Sequence, residues 1–167
     1  KGMRKIQLQF ALTFFVVLHS AYAEVKSNLI LITVDTLRAD RLGCYGYSRI
    51  QTPHIDALAT EGARFATVVA QAPLTLPSHC SILTGTYPMF HHVRDNVGYR
   101  LENSKRTLAE LLKEAGYNTG AFVGAYVLSA KFALNQGFDV YDDNFGKRQT
   151  AGGIVNLNQL ERPAAEV

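Results

Sequence analysis

Apolar and polar positions fall in blocks along this chain, and each block has a period of its own. Asn28-Leu29-Ile30-Leu31-Ile32-Thr33-Val34 is a continuous apolar, β-branched run ending at Asp35, the pattern of a parallel strand buried on both faces. Thr52-Pro53 predicts a helix start, with Ile55, Leu58 and Ala59 on one face and Gly62 at its end. Residues 64–69 read as a second extended stretch. Pro77 predicts the start of another helix that runs to about Thr84 and stops at Gly85. Ser104 or Thr107 caps the next, with Leu108, Leu111, Leu112 and Ala115 at helical spacing and Gly116 as its stop. Residues 117–124 read as extended again. Strands alternating with helices predict an α/β fold, a mostly parallel sheet flanked by helices. After Gly137, the acids Asp139, Asp142 and Asp143 with Lys147 and Arg148 read as a solvated polar loop, and residues 162–167 as a helix beginning. An open sheet whose last helix is cut short is expected to be incomplete at its C-terminus.

Composition narrows the class without naming it. With 167 residues, 47% hydrophobic and 19% charged, the chain is neither a disordered tail nor a disulfide-dense miniature fold. Three of its 17 basic residues stand in the first five positions, and the remaining 14 balance the 14 acids. No basic face for nucleic acid is implied, and no nucleic-acid binding is expected. From Met3, two basic residues precede the apolar run Phe10 to Leu18, and Ala21-Tyr22-Ala23 supplies a small-x-small cleavage site. Residues 1–23 are therefore expected to be a signal peptide, with Lys1-Gly2 upstream of the initiator and cleavage after Ala23. The run is shorter than the ~20 residues of a membrane span, so the mature chain 24–167 is expected to be exported, periplasmic or secreted, without a stable span. Cys44 and Cys80 are too few to define a disulfide framework and read as two separate thiols.

Two places can carry chemistry. In an open parallel sheet, ligands bind outside the carboxyl ends of strands, and Asp35 directly follows the first apolar run. A carboxylate there suits a hard divalent cation, although a turn or helix cap explains it equally well. The second place is Ala72-Pro73-Leu74-Thr75-Leu76-Pro77-Ser78-His79. A Thr75 hydroxyl just ahead of a Pro-started helix lies close to unpaired N–H groups, where developing negative charge is favoured. Thr75 can act as a nucleophile, with a metal in place of a general base, or simply cap the helix.

The stretches NLILITVDTLRADRLGCYGY, TPHIDALATEGARF, APLTLPSHCSILTGTYP, HHVRDN, LAELLKEAGYNTGAFVGA and GFDVYDD follow one another from Asn28 to Asp143. Together they resemble the N-terminal half of a sulfatase, within the alkaline-phosphatase superfamily, and in particular exported bacterial sulfatase-like proteins. The resemblance implies an α/β sandwich considerably longer than this chain, of which residues 24–167 would be the first part of a truncated catalytic domain, the other metal ligands lying beyond its end. It also implies an Asp metal ligand after the first strand, which matches Asp35; the adjacent second Asp of the family is Thr36 here.

The family's Cys-x-Pro-Ser-Arg motif, whose first residue becomes formylglycine, falls on Thr75-Leu76-Pro77-Ser78-His79. Threonine cannot give that aldehyde, because its β-carbon carries a methyl group, so no formylglycine is expected. The family's Arg is His79, and its sulfate-binding Lys and His fall on Ala125 and Val127. The resemblance thus implies a metal-dependent hydrolase of sulfuric or phosphoric esters with Thr75 as nucleophile and metal-bound hydroxyl. His79 would orient or protonate a leaving group, and Asn96 would donate to a substrate oxygen. The alternatives are a phosphodiesterase or phosphotransferase of the superfamily using Thr75 directly, and a non-catalytic binding module. The implied cofactor is a divalent metal, calcium, or zinc or manganese for phosphodiesterase chemistry. The implied partner is a small-molecule, glycan or lipid ester. The isolated 167-residue chain is expected to be inactive. Arg94 is expected to pair with Asp95 or a nearby acid, and His91 and His92 to be surface residues.

Overall fold

The computed structural model describes residues 26–145 and 161–162. The expected signal peptide and nearly all of the expected C-terminal helix lie outside the described residues. The chain divides into two units, one ending at Leu37 and one beginning at Arg38.

In the first unit, residues 26–34 have no regular secondary structure, and Asp35 and Thr36 form a turn. The expected strand over Asn28–Val34 is thus not formed, and the run is exposed, Ile30 to 81% and Ile32 to 75%. The physical reason is that a doubly buried parallel strand needs a ladder at its edges and a layer on each face. Among the described residues this run has neither.

In the second unit, helix α1, Pro53–Glu61, opens with Pro at its first position and ends at Gly62, whose N–H reaches the Leu58 carbonyl. Its Thr52 does not cap in the usual way. Thr52 Oγ1 accepts from Gly43 N–H at 3.0 Å and donates to Asp56 Oδ1, which also accepts from Cys44 N–H at 2.6 Å. The start of α1 therefore holds the turn at residues 43–45, while its apolar Leu58 stays 67% exposed. Residues 64–69 form no strand and are exposed, the same departure as at 28–34 and for the same reason.

Helix α2, Thr75–Thr84, begins two residues before Pro77 and ends at Gly85, which adopts the left-handed conformation (φ 65°). Leu76, Pro77, Cys80 and Ser81 are its buried face. Leu76 and Cys80 pack with Val93, Leu101, Leu128, Phe132, Ala133 and Leu134 into the core of the unit. The short helix α3, Pro88–His91, follows. His91 is not a surface residue: it is fully buried, unlike the exposed His92. Its Nδ1 accepts from Val93 N–H at 3.1 Å, so its Nε2 carries the proton and donates to Ser81 Oγ at 3.0 Å.

Helix α4, Leu108–Glu114, starts at Thr107 rather than Ser104. Thr107 and Glu110 form a reciprocal capping box. It ends as its glycine requires: Gly116 (φ 80°) donates to Lys113 O and Tyr117 to Leu112 O, the two bonds of a Schellman motif. Strand β1, Gly120–Phe122, then pairs in parallel with strand β2, Val140–Asp142, in the register Gly120↔Val140. The parallel sheet with flanking helices is thus present, as two strands among the described residues.

The acids after Gly137 are not a solvated loop. Asp139 accepts from Thr119 N–H at 2.9 Å and pairs with Lys113, and Asp143 accepts from Ala130 N–H at 2.8 Å. Asp142 lies in β2 and receives Nη1 of Arg162, whose side chain is only 7% exposed. Arg162 is the one residue of the expected C-terminal helix that is described. Beside an isolated antiparallel bridge between Ala125 and Glu161, its Nη2 donates to the Val123 carbonyl, closing the carboxyl ends of both strands. Alternating charge in the sequence looked solvated because the partners lie 13 to 39 residues away.

Candidate active site

The first turn of α2 collects three of the residues singled out from sequence. Thr75 is the first helical residue, not a residue ahead of the helix. His79 follows one turn later, and residues spaced by four share a helix face. Nδ1 of His79 lies 2.8 Å from the Thr75 carbonyl. A carbonyl can only accept, so Nδ1 carries the proton and Nε2 is the basic nitrogen of the neutral ring. Both residues are half-buried.

Asn96 joins them from a loop. Its Oδ1 accepts from the backbone N–H of Leu76 at 2.9 Å. Because an N–H must meet an oxygen, this bond orients the amide, and Nδ2 is the atom left to meet a ligand. The next residue, Pro77, has no N–H, so its place in the first turn leaves no donor unpaired there. Sequence reasoning placed Asn96 at the site but not its oxygen on α2. The signal was Leu74 at the N-cap, a residue with no side-chain acceptor.

Arg94 is exposed and has no acidic partner among the described residues; Asp95 Oδ1 instead takes Val97 N–H at 3.3 Å. Ala125 and Val127 are half-buried and pack against the core that holds α2. These two positions do apolar packing here, and neither side chain can hold an anion. Cys80, one turn beyond Leu76, is fully buried, and burial pushes its thiol up to about 12. It is an inert thiol at neutral pH, and it and Cys44 are separate free cysteines.

Asp35 belongs to the first unit, exposed in the turn before Leu37. Its neighbour Thr36 has φ 56°, a left-handed conformation that a β-branched residue adopts only under strain. An exposed carboxylate can serve as one oxygen ligand to a hard cation. Among the described residues, no three His, Cys, Asp or Glu side chains gather around a common point, so these residues do not by themselves form a metal centre. No helix among the described residues is long and apolar enough to cross a membrane.

Known proteins share this arrangement of sequence and fold. A family model described as Sulfatase matches residues 27–158. Human steryl-sulfatase is 34% identical over 138 residues, covering 75% of this chain and 23% of that protein. The N-acetylgalactosamine-6-O-sulfatase of Bacteroides thetaiotaomicron is 40% identical over 102 residues, covering 57% of this chain and 19% of that protein. A solved structure, described as a complex with its substrate D-glucosamine-2-N,6-O-disulfate, superposes with a TM-score of 0.54 at 35% identity. It covers 61% of this chain and 20% of that chain. A 2-O GAG sulfatase superposes with a TM-score of 0.52 at 28% identity, covering 66% of this chain and 24% of that chain. The chain therefore spans about a fifth of the length of the curated relatives it matches. Its α/β architecture is that of the sulfatases, of alkaline-phosphatase-like fold. Family model, relatives and fold agree, and the chain belongs to the sulfatase family.

Proposed function

We propose that the full-length protein hydrolyses sulfuric or phosphoric esters with Thr75 as its nucleophile. The observation that carries this reading is the first turn of α2. Thr75 opens the helix, with His79 on the same face and Asn96 bonded to the next residue, and the motif resemblance supports reading Thr75 at the family's nucleophile position. The Thr75 hydroxyl oxygen attacks sulfur or phosphorus, the bond to the leaving oxygen breaks, and that oxygen takes the electron pair and a proton. Water then attacks sulfur or phosphorus of the esterified threonine, releases sulfate from a sulfate ester, phosphate from a phosphate monoester or a phosphate monoester from a diester, and restores the hydroxyl. The dipole of a ten-residue helix favours the negative charge that develops, although the N–H groups of Leu76 and Ser78 are already paired and Pro77 has none. Nε2 of His79 moves a proton to or from the leaving oxygen, and Nδ2 of Asn96 donates to a non-bridging oxygen.

A divalent cation, as is typical of the family, would need oxygen ligands, for which Asp35 and the Thr75 hydroxyl are each candidates from sequence. When bound, it supplies positive charge that lowers the pKa of that hydroxyl. The substrate is proposed to be a small-molecule, glycan or lipid ester, and the pattern of residues 3–23 supports export of a mature chain beginning at Glu24.

Within this reading, a phosphate diester is favoured over a sulfate ester by one group of observations. Thr75 cannot become formylglycine, and the family's Arg, Lys and His are His79, Ala125 and Val127, the last two packed against the core. The test compares a sulfate ester, a phosphate monoester and a phosphate diester on one preparation of full-length protein. Loss of the dominant activity in Thr75→Ala and its partial retention in Thr75→Ser support the proposal. Turnover that survives Thr75→Ala removes Thr75 as nucleophile, and no turnover of any ester favours a binding module.

A further inference from the structure

Helix α2 is capped from outside its own sequence. Its N-cap residue, Leu74, has no side-chain acceptor, and no side-chain cap bond is made there. The oxygen that caps the first turn comes from Asn96, at 2.9 Å from Leu76 N–H and 20 residues away. Water is a poor substitute at this place, because Leu76 and Pro77 are both fully buried. The loop that brings Asn96 is itself anchored to α2. His91 donates to Ser81 Oγ in the second turn of the helix, and its Nδ1 holds the N–H of Val93, a fully buried member of the same core. Residues 91–96 thus fasten to α2 at Ser81 and at Leu76.

We propose that Asn96 is a positioning residue for Thr75. Its Oδ1 fixes the Leu76 peptide, which is covalently joined to Thr75, and so sets where the attacking oxygen stands. This rests on the reading of Thr75 as nucleophile and adds to it a second role for Asn96, separate from donation by Nδ2. Displacing a reacting group by ~1 Å costs on the order of 100-fold in rate, so a missing cap is expected to act on kcat rather than on KM.

The experiment uses full-length protein carrying Asn96→Ala, Asn96→Asp or Thr75→Ala, with 4-nitrophenyl sulfate and bis(4-nitrophenyl) phosphate as probes. Hydrogen exchange at the Leu76 amide is measured alongside. Asn96→Ala is expected to lower kcat by roughly 10- to 100-fold with KM little changed, and to lose Leu76 amide protection. Asn96→Asp keeps an oxygen acceptor at a helix N-terminus. It is expected to retain both the protection and a kcat within a few-fold of wild type, with a higher KM for the anionic probes. A protected Leu76 amide in Asn96→Ala overturns the proposal. So does a kcat in Asn96→Asp as low as in Asn96→Ala while protection is kept, since Nδ2 then carries the whole effect. Thr75→Ala is expected to keep the Leu76 protection and lose turnover. Retained turnover there overturns the nucleophile reading, while the amide data still report the cap independently.

Discussion

Ser81 and His91 are joined in the interior of the second unit, Nε2 of His91 lying 3.0 Å from Oγ of Ser81, with both side chains buried. Burial holds the His91 imidazole below its ordinary value of 6.5, and the neighbouring charges of His92 and Lys105 act in the same direction. A proton on Nδ1 would also displace the Val93 N–H that it accepts. The unfolded chain therefore binds this proton more readily than the folded one. The contribution of neutral His91 to stability is fully present above pH 6.5 and is lost as pH falls from there through the lower pKa of the folded state. Thermal unfolding across this range is expected to show a steeper loss for wild type than for His91→Gln, and parallel curves would contradict it.

Gly137 (φ 84°) lies against the start of α4, and a Cβ there would meet the Ala109 carbonyl carbon at 2.7 Å and the Glu110 nitrogen closer still. Both neighbours are backbone and cannot turn aside. Gly137→Ala is expected to cost about 2–4 kcal/mol, from left-handed strain together with the clash. The measurement is the midpoint of chemical unfolding, and a change within ±0.5 kcal/mol, the scatter of a neutral surface substitution, would contradict it.

Asp139 titrates low. The Lys113 ammonium, with the backbone N–H and hydroxyl of Thr119, holds its carboxyl at about 2. Because the folded pKa lies below the ordinary 3.8, its contribution to stability is present above 3.8 and is lost as pH falls through about 2. Titration followed by NMR is expected to find this low midpoint, and Lys113→Met is expected to move it upward. A midpoint indifferent to Lys113 would contradict the pairing.

What the sequence made legible was local. Pro53, Gly85 and Gly116 mark helix ends, and Thr107 was one of two candidate caps, because the groups that satisfy these ends lie within about one turn. Thr75 and His79 were singled out through the family resemblance; the helix was expected to start at Pro77, and the structure starts it at Thr75, which puts the two residues on one face. The run Asn28–Val34 misled because apolar composition specifies a preference for burial and not the neighbours that satisfy it. His91, Asn96 and the acids Asp139, Asp142 and Asp143 were misjudged or half-judged for a related reason. Their partners stand 10 to 20 residues away, at Ser81, Leu76, Thr119, Arg162 and Ala130, and no local period encodes such distances.

Restoring the family's first motif residue is not expected to restore its chemistry. Thr75→Cys rebuilds Cys-x-Pro-Ser, but His79 remains in place of the family's Arg, and Ala125 and Val127 remain packed against the core. Co-produced with a formylglycine-generating enzyme, this variant is expected to be a poor sulfatase. Efficient turnover of a sulfate ester would contradict the reading of those positions.

The most direct measurement is of the covalent bond between Thr75 and the transferred group. Full-length protein is mixed with a sulfate ester or a phosphate diester, quenched in acid during turnover, digested, and its peptides sequenced by mass spectrometry. One sulfuryl or phosphoryl group is expected on the hydroxyl of Thr75, and neither adduct nor turnover in Thr75→Ala. A modified residue elsewhere, or turnover that persists in Thr75→Ala, would contradict it.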